Sequence, residues 1–220
     1  YDATLHHADS AGNGGIIADH GLQWMASGKG IWHKESYQAT SPDNKIGIMQ
    51  LWLMLDPQQE TQPASYFNLQ PEEIPQVQDD NGNLTRVLLG EYQGLKAARA
   101  IKHNVTYLDV HLTTGESWEF SVPAKQVRGF VYPRVGQIKI AGTQVASQQL
   151  ALLNEDEETL CITALQDSQF VVALTELWPH PVVAHYGQIH TSKQALKIGS
   201  EHIQHLKLEL IEKLNNGVTV

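Results

Sequence analysis

Apolar segments in this chain are short, and turn chemistry breaks them about every ten residues, the spacing of antiparallel strands in a sandwich or barrel rather than of strand–helix–strand units. Asp9-Ser10-Ala11-Gly12-Asn13-Gly14-Gly15 is one such turn cluster, followed by the apolar pair Ile16-Ile17. Val105-Thr106-Tyr107-Leu108-Asp109-Val110 alternates cleanly, and Thr113-Thr114-Gly115-Glu116 separates it from Trp118-Glu119-Phe120-Ser121-Val122. Further strands are expected over 128–133, 135–140, 159–164 and 170–174. A longer one is expected over 46–55, stopped by Asp56-Pro57. Asp79-Asp80-Asn81-Gly82-Asn83 resembles part of a calcium loop but lacks a bidentate glutamate at the right distance, so it reads as a hairpin turn.

Between 58 and 83 the composition changes to Gln, Pro, Asp and Asn with few aliphatics, which marks a connector between two modules. The expected division is an N-terminal module over 1–62, a linker over 63–83, a C-terminal module over 84–178 and a final segment over 179–220. Only that last segment reads as helical. Ile203, Leu206, Leu210, Ile211 and Leu214 recur at helical spacing after Ser200, a good N-cap, and Asn215-Asn216-Gly217 supplies a stop. The stripe suits packing on the barrels or docking of a partner. A shorter helix is expected to start at Thr191-Ser192 and end near Gly199.

Charge and cysteine usage narrow the functional classes. Fifteen Lys+Arg against 24 Asp+Glu leave a net charge of −9, which argues against nucleic acid or an anionic membrane as a direct partner. Cys161 is the single cysteine, so an internal disulfide and a cysteine-based zinc cluster are excluded. Between Leu160 and Ile162 it reads as a buried core residue. With no signal-peptide pattern, a cytoplasmic protein is expected. The chain opens Tyr1-Asp2 without an initiator methionine, so a longer native protein is expected.

Chemistry concentrates in Gly21-Leu22-Gln23-Trp24-Met25-Ala26-Ser27-Gly28-Lys29-Gly30-Ile31-Trp32-His33-Lys34-Glu35. Ile31 and Trp32, after Gly28-Lys29-Gly30, break the pattern of a phosphate loop. His33 and Glu35 are two residues apart; on a strand they share one face and can bind one metal ion. His6 and His7 are adjacent, so only one can face inward, and a surface or hydrogen-bonding role is expected for both. Trp24 and Met25 are candidates for the wall of a substrate pocket, or for core packing.

This stretch resembles the signature of the pirin family through Gln23-Trp24-Met25, Gly28, Gly30-Ile31, His33 and Glu35. The resemblance extends to His7-Ala8-Asp9-Ser10-Ala11-Gly12-Asn13, Gln50-Leu51-Trp52, Pro71-Glu72-Glu73-Ile74-Pro75 and Pro181-Val182-Val183-Ala184-His185-Tyr186-Gly187. It implies an all-β bicupin, two antiparallel barrels with C-terminal helices. It further implies one metal, usually iron, held in the first cupin by three histidines and a glutamate, two of the four being His33 and Glu35. The other two come from a His-x-His motif that occurs nowhere in this sequence and is expected upstream of Tyr1. Two donors alone predict poor affinity and an empty site. The activity implied is that of a metal-dependent quercetin (flavonol) dioxygenase, with Fe(II) or another divalent transition metal as cofactor and Glu35 as ligand and base. The alternative is a non-enzymatic, metal- or redox-responsive regulator that binds a protein partner. The second cupin shows no equivalent ligand set and reads as structural; an oligomer is left open.

Overall fold

The structure, a computed structural model, describes residues 1–155 and 158–215, with side chains in the last helix through Lys213. Two compact units form, Tyr1–Pro71 with Pro179–Val220, and Glu72–Trp178. The first unit begins with β1 (Ala3–Asp9), β2 (Gly14–Ile17), β3 (Leu22–Ala26), β4 (His33–Ala39) and β5 (Ser65–Leu69). β1 lies between β2 and β4, and β3 pairs with β5, all antiparallel.

The strand expected over 46–55 does not form. Residues 45–55 are irregular, and backbone pairing with β1's approach shrinks to Tyr1 N to Gly47 O at 2.7 Å and Gly47 N to Tyr1 O at 2.9 Å. Alternation suits those side chains to a pleated surface, but a strand needs a neighbour to complete its backbone bonds. Among the described residues no strand pairs with it.

In the second unit come β6 (Gln76–Gln78), β7 (Leu84–Leu89), β8 (Glu91–Tyr92), β9 (Leu95–Lys96), β10 (Val105–Leu112), β11 (Ser117–Ser121), β12 (Arg128–Val135), β13 (Gln137–Ile140), β14 (Thr143–Ala146), β15 (Ala151–Leu152), β16 (Thr159–Ala164) and β17 (Ser168–Thr175). A six-stranded sheet runs β15-β12-β17-β10-β7-β6, and a four-stranded sheet runs β11-β16-β13-β14. Leu108, Val110, Val131, Phe170 and Val172 from the first sheet meet Trp118, Phe120, Ile138, Leu160 and Ile162 from the second in one buried cluster. Such a two-layer core is what alternating strands are able to build.

Cys161 corrects the expectation of a buried thiol: it is exposed. Its neighbours Leu160 and Ile162 are both buried in the core. Strict alternation therefore turns the residue between them outward, opposite Glu119 on β11.

The two units carry matching hairpins. Between β1 and β2, Asp9 Oδ1 accepts the backbone N–H groups of Ala11 and Asn13, both at 2.9 Å, and Oδ2 accepts Asn13 Nδ2 at 2.9 Å. Between β6 and β7, Asp79 accepts Asn81 N and Asn83 N at 2.9 Å and Asn83 Nδ2 at 2.8 Å. Both turns read Asp-x-x-Gly-Asn, and Gly12 and Gly82 each have φ +85°, the left-handed region that only glycine enters without strain. The turn at 79–83 is thus the hairpin that its residues predict.

The chain returns to the first unit through β18 (Val183–His185), β19 (Gln188–His190) and α1 (Lys193–Asn215). Buried Glu60 fastens this return: its carboxylate accepts Thr191 N at 2.8 Å and the Thr191 hydroxyl, and lies 3.4 Å from His190 Nδ1. One continuous helix replaces the two expected. It passes through Gly199, where a Cβ would stand 2.9 Å from the His190 ring; close packing, not a helix end, explains that glycine. The expected stop at Asn216-Gly217 and the Leu214 side chain lie outside the described residues. Ser192, not Ser200, caps the helix, its Oγ accepting Ala195 N at 3.1 Å. Ser192→Ala is expected to cost about 1 kcal/mol, read as a lower midpoint in denaturant; an unchanged midpoint would show the cap to be idle.

The buried apolar residues of the first unit are few: Ala3, Ile17, Leu69 and Ala195. Its interior is instead furnished with His7, Glu60, His190 and Thr191, all buried. Buried polar groups need specific partners, and their partners define the site.

Candidate metal centre

Strand register assembles the site. β1 pairs with β4 so that His7 lies opposite Glu35 and Asp9 opposite His33. Residues two apart on a strand share a face, so all four side chains stand on one face of the β1–β4 pair. His7 Nδ1 lies 3.4 Å from Glu35 Oε1, and His33 Nδ1 lies 3.5 Å from the same oxygen. One donor atom from each of His7, His33 and Glu35 lies within 4.8 Å of the others.

Neighbouring elements hold these groups in place. Glu35 Oε1 accepts Gln23 Nε2 from β3 at 2.6 Å, and Oε2 accepts the Tyr37 hydroxyl at 2.5 Å. Burial pushes the Glu35 carboxyl up. The bonds from Tyr37 and Gln23 and the nearby imidazoles outweigh it, so the group stays below the usual carboxylate value. Burial and the adjacent carboxylate push the Tyr37 phenol up to about 12. The Tyr66 ring from β5 stacks on His7, with centroids 4.5 Å apart and planes 11° from parallel. His7 is shielded completely, whereas the side chain of His33 is 36% exposed, so the cluster opens on the His33 side.

Two imidazole nitrogens and one carboxylate oxygen suit a divalent transition metal. The approach of His7 Nδ1 to Glu35 Oε1 also needs a cation between them, because two lone pairs at that range repel; a proton or a metal ion meets the need. The residues present therefore fit a metal.

His33 and Glu35 come together on one face, as their spacing predicts. His7 is the group that local reading missed: it stands with His33 and Glu35 in a cluster that could hold a metal ion. Adjacent histidines were ambiguous until the register placed His7 opposite Glu35; the available signal was its spacing of two from Asp9. Of the pocket candidates, Met25 shares a strand face with Gln23, which reaches Glu35. Trp24 stands on the other face of β3, its ring 6.3 Å from that of Phe67. In the second unit the position two before the hairpin aspartate is Val77 rather than histidine. Val77, Thr85, Leu112 and Trp118 there help line a hollow of about 300 Å³. Arg86 Nη1 approaches both Asp109 Oδ2 and His111 Nε2 at 3.2 Å, so a guanidinium already neutralises that carboxylate.

Comparison with known proteins agrees with this arrangement. The family profile described as Pirin matches residues 1–53. Pirin from Rattus norvegicus is 30% identical over 83% of this chain and 62% of its own length, so the chain spans less than two thirds of that relative. The fold matches quercetin 2,3-dioxygenase from Acinetobacter baumannii at TM-score 0.78 and 24% identity, over 99% of this chain and 73% of that one. It also matches the bacterial pirin YhhW from Escherichia coli, solved in complex with nickel(II), at TM-score 0.59 and 21% identity, over 80% of this chain and 69% of that one.

Fold and donor cluster together define a bicupin with a histidine–carboxylate group in its first unit. The chain is similar to the pirin family, by the profile match over residues 1–53 and by its likeness to the rat pirin. No described helix is long and apolar enough to cross a membrane.

Proposed function

We propose that this protein is an iron-dependent, quercetin dioxygenase-like oxidoreductase, with His7, His33 and Glu35 as metal ligands. The convergence of one donor atom from each residue within 4.8 Å carries the reading, and a solved dioxygenase of the same fold supports the substrate class. Iron bound there would supply Lewis acidity toward the oxygens of an enediol and the redox capacity that ring opening by dioxygen requires. The protein's own part is to hold and orient. Gln23 and Tyr37 fix both oxygens of Glu35 and keep it ionised. Those bonds suit Glu35 to holding a cation better than to retaining a proton taken from substrate. The exposed side of His33 leaves an approach for a planar aromatic substrate, with Met25 on the site face of β3. A lone thiol, Cys161, suits the reducing cytoplasm.

A second reading is a regulator whose affinity for a protein partner responds to metal loading. It is favoured by apolar side chains exposed beside the cluster, Trp32 at 40% and Tyr37 at 39%. Anaerobic reconstitution with Fe(II), followed by oxygen-uptake measurements with quercetin, separates the two. Uptake that disappears in Glu35→Ala supports the dioxygenase. Iron binding without uptake supports the regulator, and an absence of iron binding overturns both.

A further inference from the structure

We propose that the recess in the second unit is a binding site for a small organic cation, a protonated amine carried on a single apolar ring. This site lies wholly within the second unit and needs no metal. The recess holds about 300 Å³, the low end of the range for small-molecule sites, so it suits a ligand of one ring rather than several. Its wall is apolar and aromatic: Val77 and Leu112 line it together with Tyr92 and Trp118. The two rings stack, with centroids 5.5 Å apart and planes 10° from parallel. Trp118 is 4% exposed and Tyr92 5%, so their polar atoms need partners inside. Trp118 Nε1 donates to Thr85 Oγ1 at 3.0 Å, and Gln93 Nε2 donates to the Tyr92 hydroxyl oxygen at 3.2 Å. Gln93 reaches that oxygen from the turn between β8 and β9, at φ +49°, a left-handed backbone that glycine or asparagine adopts more readily. These bonds fix the aromatic wall before a ligand arrives, which lowers the cost of binding.

Charge selects the ligand. Asp79 and Glu119 contribute to the lining, and among the described residues no lysine, arginine or histidine does. The bonds from Asn83, with lesser ones from Asn81 and Gly82, hold the Asp79 carboxyl below its usual range, so it is an anion at neutral pH. Burial pushes the Tyr92 phenol up against the bonds to Thr85 and Trp118, and the charge of Asp79 adds to the rise. The field of that carboxylate therefore reaches the aromatic wall. An anionic ligand would meet two like charges with nothing to neutralise them. An ammonium group would meet two carboxylates, which accept its three N–H donors, and electron-rich rings that attract cations. A bare metal ion fits less well. Among the described residues Asp79 and Glu119 belong to no group of three donors, and an apolar wall offers an ion no ligand. That wall is matched instead by a ring attached to the nitrogen through a short hydrocarbon.

Titration of the full chain with phenethylamine, which is protonated at neutral pH, tests this by ¹H–¹⁵N NMR. The Trp118 indole N–H and the amides of Gln93 and Glu119 are expected to shift saturably, while those of His7, His33 and Glu35 do not move. Phenylacetate and phenethyl alcohol carry the same ring with an anionic or neutral head. Both are expected to bind at least about tenfold more weakly, the ratio that an ion pair and a cation–π contact supply together. Glu119 occupies an exposed strand position, so its substitution spares the core, whereas Asp79 also holds the hairpin. Glu119→Gln is expected to weaken the amine about threefold, and Glu119→Lys about tenfold or more. The site is overturned if the Trp118 indole shows no saturable shift up to about 10 mM amine. Its preference for cations is overturned if phenylacetate binds as tightly as the amine, or if Glu119→Lys binds the amine like wild type.

Discussion

Glu35→Ala is expected to weaken divalent-metal binding by at least about 100-fold, beyond what loss of an outer-shell partner causes, equivalent to about 2.8 kcal/mol or more. The carboxylate is the only anionic group of the three donors, and Oε1 is the atom that both His7 and His33 approach. Its removal also strands the Gln23 amide and the Tyr37 hydroxyl that now bond to it, so the remaining imidazoles lose their alignment along with the charge. Glu35→Gln separates these effects. It keeps an acceptor for Tyr37 but not the charge, and it is expected to lose most of the affinity as well. Calorimetric titration with Ni(II) or Co(II) reads the outcome. Affinity within about threefold of wild type in Glu35→Gln would mean that the imidazoles bind metal without help from the acid, and the assignment of a three-donor centre would fall.

Phe170→Ala is expected to destabilise the second unit by about 3–5 kcal/mol, a large share of the roughly 5–15 kcal/mol that holds a domain together. Phe170 is among the largest fully buried side chains, and its ring meets Trp118 edge-on, with centroids 6.1 Å apart and planes at 83°. Trp118 in turn stacks with Tyr92 and Phe120, so the vacated volume sits where rigid rings on several sides cannot collapse into it. Urea unfolding followed by tryptophan fluorescence measures the loss. A change below about 1 kcal/mol would show that the rings rearrange and that the sheets are less closely packed than their burial indicates.

Much of the fold could be read from short-range pattern. Turn residues with a defined backbone role, such as Gly82 at φ +85°, marked the hairpins, and alternation located β10, β11, β16 and β17. His33 and Glu35 were legible as a pair because period two is a local property. What local pattern withheld was register. His7 became a candidate ligand only through its pairing with Glu35 across β1 and β4, since a shift of one residue would have presented His6 instead. The segment 46–55 has the composition of a strand, but composition carries no information about whether a neighbour lies alongside. Gly199 looked like a helix end because its purpose, room for the His190 ring, shows only once β19 is folded back against the helix. Cys161 is a different lesson: its flanking leucine and isoleucine were the evidence that it faced outward.

The paired Asp-x-x-Gly-Asn hairpins have a consequence for how chemistry is distributed within such a protein. Each aspartate satisfies its loop through contacts with the loop's own amides, so folding places no demand on the side chain two positions earlier. Histidine there stands beside Glu35 in the candidate metal cluster; valine there becomes wall for a small recess. The side chain at that one position can thus change while both hairpins keep the same turn bonds.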